Sequence, residues 1–159
     1  LSKQPDQEIT SDDIDEVYRR MSRLYGHSFV SSFGTSDDGT WLMALSGLKK
    51  SDLSRGLTML LNCSTDWPPS VPRFRRMCLG ITDKHIEARA IELASGSDNY
   101  NFYKLPEKDI YFRVKEKRDQ ASEELTTEFL KLASNGLLRS ELEKRPKLTY
   151  NEPYYGNVL

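Results

Sequence analysis

Residues 41–78 read WLMALSGLKKSDLSRGLTMLLNCSTDWPPSVPRFRRMC, and their spacing decides the fold. Trp41, Ala44, Leu45 and Leu48 repeat on one face of a short helix, which Lys49-Lys50 closes. Ser51 reads as the cap of a next helix with Leu53, Leu57, Leu60 and Leu61 on its apolar side. Gly56 lies inside that helix, where it costs about 1 kcal/mol relative to Ala, and such a Gly often marks a close approach between helices. Trp67-Pro68-Pro69-Ser70-Val71-Pro72 then breaks the pattern, because Pro lacks a donor and forces its predecessor into extended geometry. Ser70 caps a restarted helix with Pro72 in its first turn. Phe74, Met77 and Cys78 are expected to face inward, and Arg73, Arg75 and Arg76 to share the exposed side and its flanks. The three helices form one unit, with Trp67 expected to cover the joint in a cluster with Trp41 and Phe74.

Upstream, Ser11 reads as an N-cap with Asp12, Asp13, Asp15 and Glu16 in the first turn, where the helix dipole favours negative charge. Ile14, Val17, Tyr18, Met21, Leu24 and Tyr25 follow at helical spacing, and the helix is expected to run to Phe33 and stop at Gly34. Downstream, Thr82 caps a helix through Ala94. A turn-rich break at Ser95–Asn99 leads into an aromatic connector with Tyr100, Phe102 and Tyr103, read as extended. The longest helical pattern runs from Glu107 to Ala133 and ends at Asn135-Gly136. A short helix is expected from Leu137 to Lys144. No stretch alternates with period two over a strand length, and no repeat or low-complexity block occurs. The expected fold is all-α: a flexible acidic arm at 1–10, a compact helical domain at 11–95, a C-terminal helical segment at 100–145 and a tail at 146–159.

The 159 residues are 37% hydrophobic and 30% charged, with a formal net charge of -1. That balance argues against attachment to nucleic acid by bulk positive charge. Charge is uneven, however: residues 1–16 hold six carboxylates against Lys3, and basic clusters lie at Arg73, Arg75, Arg76 and at Arg113, Lys115, Lys117, Arg118. Cys63 and Cys78 form neither a disulfide framework nor a CxxC pair, and read as two buried free thiols in a reducing cytoplasm. No apolar run approaches the roughly 18 residues that span a bilayer. The N-terminus is acidic where a secretory signal would be basic and then apolar. The chain opens on Leu, so a trimmed product or a part of something longer is expected.

Catalytic chemistry finds few residues to work with. Gly47-Leu48-Lys49-Lys50-Ser51 lacks the two-glycine spacing of a phosphate loop, whose amides cradle a nucleotide. His27 and His85 are the only histidines, and no second close pair joins Cys78 and His85 in a tetrahedral set. His27 reads as the end of a helix face and His85 as part of a solvated turn. A non-enzymatic binding protein without a cofactor or metal is expected.

The unit from Trp41 to Cys78 resembles the replication protein P family of lambda-like phages and prophages, through Trp41, Leu45, Leu48, Gly56, Leu57, Pro68, Pro69, Ser70, Phe74 and Cys78. The acidic arm departs from the family pattern. The resemblance implies a helicase loader, which binds the host's hexameric replicative helicase, holds the ring open and delivers it to single-stranded DNA without an ATPase of its own. It also implies an origin initiator as a partner, though no residue of this chain is assigned to that contact. The competing reading is an unrelated all-helical interaction protein of phage origin acting on another host protein.

A loader must grip its partner through helices. Ile110, Tyr111, Phe112 and Val114 open the long helix with a wide aromatic and apolar stretch and are the candidate partner-binding residues. The alternative packs them on the helix at 82–94. Arg73, Arg75 and Arg76 are the candidate nucleic-acid contacts, expected to give weak binding to single strands. Their alternative is a solvated face.

Overall fold

A computed structural model describes residues 7–63 and 65–144. All nine elements among them are helices: α1 (Ser11–Tyr25), α2 (His27–Phe33), α3 (Thr40–Ala44), α4 (Lys50–Leu61), α5 (Val71–Cys78), α6 (Asp83–Ser95), α7 (Asn99–Tyr103), α8 (Glu107–Ser134) and α9 (Leu138–Lys144). The all-α expectation holds, and so do the long helix at its expected bounds and the short helix after it. None of these helices is long and apolar enough to cross a membrane.

The large core draws on nearly every helix. Ile14, Val17 and Met21 of α1 meet Leu53 and Leu60 of α4, Phe74 of α5, and Leu125 and Phe129 of α8. Its centre is aromatic. The Trp41 ring lies 5.7 Å from Tyr18 and 5.7 Å from Phe74, and Phe29 lies 5.1 Å from Tyr18. Such edge-on and tilted pairs add about 0.5–1.5 kcal/mol each beyond the area they bury. A second, smaller cluster joins Ala90 of α6, Phe102 of α7, and Val114 and Ala121 of α8. A charged seam runs beside it: Arg89 of α6 reaches Glu124 at 3.8 Å and Glu128 at 3.1 Å on α8, and Arg118 of α8 pairs with Glu87 of α6.

The close approach expected at Gly56 is present. A Cβ there would sit 3.2 Å from the backbone of Cys78, so α4 and α5 touch through their main chains. Arg55 locks the same crossing, donating from Nη1 to Asp52 Oδ1 at 2.9 Å and to the Cys78 carbonyl at 2.7 Å. Asp52 is almost wholly buried, and its other oxygen accepts the Lys49 amide at 2.9 Å.

Several local expectations are corrected. The helix expected from Ser11 to Phe33 is two helices, because Gly26 takes φ 59°, a region that favours glycine. The turn folds Phe29 and Phe33 back against Trp41. Thr10 rather than Ser11 caps α1, in a reciprocal box in which its amide donates to Asp13 at 2.8 Å. Lys49 rather than Ser51 occupies the cap position of α4, since Asp52 supplies the capping carboxylate. The helix begun at Trp41 ends at Ala44, yet Leu45 and Leu48 still bury fully from the following turn. Leu61, expected on the apolar side of α4, is exposed. The connector read as extended holds α7, one turn capped by Asp98, which accepts the Asn101 amide at 3.3 Å.

The arm expected to be flexible over 1–10 is held at its described end. The Lys50 amide donates to the Gln7 carbonyl at 2.8 Å, and Lys49 reaches Glu8 at 3.5 Å. The rest of that arm and the tail expected at 146–159 lie outside the described residues.

Candidate functional site

The Pro-Pro turn and α5 present the first candidate surface. Thr65 Oγ1 accepts the Trp67 amide at 3.1 Å and donates to the Trp67 carbonyl at 3.1 Å, which fixes the approach to the turn. Ser70 then caps α5 as expected, its hydroxyl accepting the Arg73 amide at 3.3 Å. Phe74 and Cys78 fill the core. Trp67 does not: its ring is 74% exposed, which overturns its expected place over the joint. Trp41 and Phe74 already meet at the centre of the core, and Pro69 is the residue of the Pro-Pro turn that buries.

The three arginines of α5 do not share one environment. Arg73 is exposed, whereas Arg75 and Arg76 are half-buried. Arg73 and Arg76 stand three positions apart and therefore on one helix face. Together they line a groove of about 290 Å³, whose apolar lining includes Met59, Met77 and Ile81 and whose polar lining includes Asn62, Thr82 and Asp83. Arg75 is not part of that lining, and its Nε is buried without a hydrogen bond among the described residues. Burial lowers the Arg76 pKa from its ordinary value, and the nearby Asp83 charge partly opposes the change. The sequence trio is thus split into a facing pair and a separate residue.

The second surface is α7 with the start of α8. Of the four expected partner-binding residues, Val114 is fully buried and Ile110 packs against the small cluster beside Ala90. These two follow the alternative of packing on the helix at 82–94. Tyr111 is half-buried, with Lys115 and Arg118 each 6.0 Å from its ring centre. Only Phe112 projects openly, at 47% exposure. The structure adds two rings to it: Tyr100 and Tyr103 of α7 are more exposed still, and Lys104 sits 3.9 Å over Tyr100. Reading the connector as extended hid them. A single helical turn buries Phe102 alone and leaves its neighbours outside.

The histidines carry other duties than expected. His85 Nδ1 accepts the Thr82 amide at 3.1 Å while Thr82 Oγ1 accepts the His85 amide at 3.2 Å, a reciprocal cap on α6 rather than a solvated turn. His27 opens α2 rather than ending a helix face. Among the described residues no group of three or more His, Cys, Asp or Glu could hold a metal ion. Of the two thiols expected to be buried, Cys63 is only half-buried; that of Cys78 is buried and its pKa is pushed up, first by burial and then by Asp52.

No protein-family model, no curated protein and no solved structure matches this chain.

Proposed function

We propose that this chain is a replication protein of phage or prophage type that binds the hexameric replicative helicase of the host and loads it onto single-stranded DNA. The resemblance of residues 41–78 to the replication protein P family motivates the reading. The observation that carries it is the exposure of Tyr100, Tyr103 and Phe112 around the small core. Exposed rings set on packed helices are what interface centres are made of, and Tyr is among the residues enriched at binding hot spots. Phe112 would enter the partner directly. Ile110 and Val114, seated in the small core, would hold α8 at the required angle, and Tyr111 would flank the contact.

The sequence carries no phosphate loop, so the ring would be held by binding energy alone, which asks for a large interface with an apolar centre. Such a partner implies a cytoplasmic protein. An origin initiator is a further proposed partner through the family resemblance, with no residue assigned to it.

The test mixes the purified chain with the host's hexameric helicase and follows the mixture by native mass spectrometry and a strand-unwinding assay. The expected result is a stable complex at micromolar concentration and suppressed unwinding. Replacing Phe112 and Tyr103 together with Ala is expected to weaken the complex by more than about 2 kcal/mol while the circular dichroism stays unchanged. Absence of any complex with the intact chain defeats the reading and leaves an interaction protein with a different target.

A further inference from the structure

The groove on α5 contains a charge arrangement that the fold itself does not use. Arg73 and Arg76 make no side-chain hydrogen bond or ion pair among the described residues. Arg76 is half-buried beside the Asp83 charge, and none of its side-chain nitrogens is fully buried, so the guanidinium stays open to an incoming anion. Asp83 is the one carboxylate in the lining, and neither arginine pairs with it, so the lining keeps a net charge of +1 (two Arg against one Asp). Met59, Met77 and Ile81 lower the local dielectric, which strengthens any pairing with an incoming anion. Planar guanidinium groups suit phosphate oxygens, since each offers a fork of parallel donors. Asn62 and Thr82 add uncharged polar groups beside them.

We propose that this groove, between the end of α4, the outer face of α5 and the start of α6, is a phosphate-binding site whose occupant is the backbone of single-stranded DNA. The proposal deepens the loader reading and rests on it for the choice of DNA. A single strand, rather than a free phosphate, is indicated by Trp67. Its exposed ring stands immediately before the Pro-Pro turn that leads into α5, where it offers a stacking face to an unpaired base. A duplex keeps its base faces covered. The site assigns unequal roles to the three arginines: Arg73 and Arg76 grip phosphate, and Arg75 does not.

The test is fluorescence anisotropy of a labelled oligo-dT with the full chain across a salt series. Parallel arms use oligo-rU of equal length, duplex DNA and inorganic phosphate as competitor. Binding to oligo-dT is expected, with quenching of the Trp67 emission and duplex bound at least ten-fold more weakly. Arg73→Ala with Arg76→Ala is expected to lower affinity at least ten-fold and to reduce the log–log salt slope by about 1.4, at roughly 0.7 per phosphate contact on a single strand. Arg75→Ala is expected to stay within two-fold of the parent. Should the double variant lose its helical spectrum, Arg73→Ala alone, at an exposed position, is expected to reduce the slope by about 0.7. Equal binding by the arginine variants overturns the site, and so does an equal loss with Arg75→Ala. Displacement of the oligo by an equimolar amount of inorganic phosphate overturns a strand as the occupant, and tighter binding of oligo-rU than of oligo-dT overturns DNA. The helicase complex is measured without nucleic acid: an intact complex with failed DNA binding counts against the groove alone, and the reverse counts against the loader reading alone.

Discussion

Gly56 on α4 faces Cys78 on α5 with no room for a side chain between them, since a Cβ at Gly56 would fall 3.2 Å from both the Cα and the amide nitrogen of Cys78 and overlap its sulfur. The two helices cross through this contact, and the crossing sets where the Pro-Pro turn and the arginine groove stand.

Gly56→Ala is therefore expected to destabilise the fold by about 1–3 kcal/mol, the usual range for overpacking. This reverses the ordinary gain of about 1 kcal/mol from replacing a helical Gly with Ala. Urea melts measure it. Adding Cys78→Ala should recover part of the loss by removing the sulfur, and the coupling in the double-mutant cycle reports the contact directly. A melt unchanged or strengthened by Gly56→Ala would show that the helices can part without penalty.

The aromatic residues of the same unit should divide sharply. Phe74→Ala is expected to cost roughly 3–5 kcal/mol, as for a core aromatic, because its ring sits fully buried against Trp41. Trp67→Ala should change stability by no more than about 0.5 kcal/mol, as at an ordinary surface position. Iodide should quench Trp67 emission and leave that of Trp41 largely untouched. Comparable losses from both substitutions would contradict the exposed placement of Trp67.

Asp52 stabilises three things at once: the start of α4, the Arg55 guanidinium and, through Arg55, the last carbonyl of α5. Asp52→Ala should cost about 3 kcal/mol, the low end for breaking a buried pair, because Arg55 keeps some access to water. Equilibrium unfolding is the readout. A loss below about 1 kcal/mol would mean that Arg55 relaxes into solvent and the crossing does not need it.

Alkaline pH should weaken the fold through Tyr18. Its pKa is raised to about 12, first by burial and then by the charges of Asp37 and Asp38. A neutral phenol is thus favoured in the folded state, and its contribution is fully present below the unfolded value of about 10. That contribution is lost as pH rises from about 10 through about 12, since there the unfolded chain holds fewer protons than the folded one. Tyr25 is raised as well, chiefly by burial, and acts in the same direction. The urea midpoint should fall over this interval, and Tyr18→Phe should flatten the fall. An identical slope in that variant would assign the loss to other groups.

Much of the fold was legible because it follows from local signals. Ser70 and Thr82 announce helix starts, and Gly56 announces a crossing, through the chemistry of single residues. The break at Gly26 was not legible, because Phe29 and Phe33 continue the apolar spacing and mask a reversal of the chain. Short elements misled in the same way: the single turn at Asn99–Tyr103 depends on Asp98 as its cap and on Phe102 finding Ala90, a contact distant in sequence. The candidate sites were legible as residue types but not as surfaces. Periodicity assigns Arg73 and Arg76 to one side of a helix but does not reveal the groove beside them. It gives Val114 and Phe112 similar apolar weight, although one is buried and the other exposed. An aromatic residue beside prolines carries no sign of which way it will turn, and here Trp67 is exposed while Pro69 buries.

Helix α8 runs through both clusters without interruption, with Val114 and Ala121 in the small one and Leu125, Phe129 and Ala133 in the large one. Its 28 residues make a rod about 42 Å long. One end is anchored among the many side chains of the large core, and the other in a cluster of four buried residues, two of them its own Val114 and Ala121, with partly buried side chains around them. Amide exchange along α7 should accordingly outpace exchange around Phe129, because the small cluster can open as a cooperative unit while the rest stays closed. A partner that holds the aromatic end would then act on a lever: pulling there lifts α7 and the near half of the rod, and the far half stays clamped as the fulcrum.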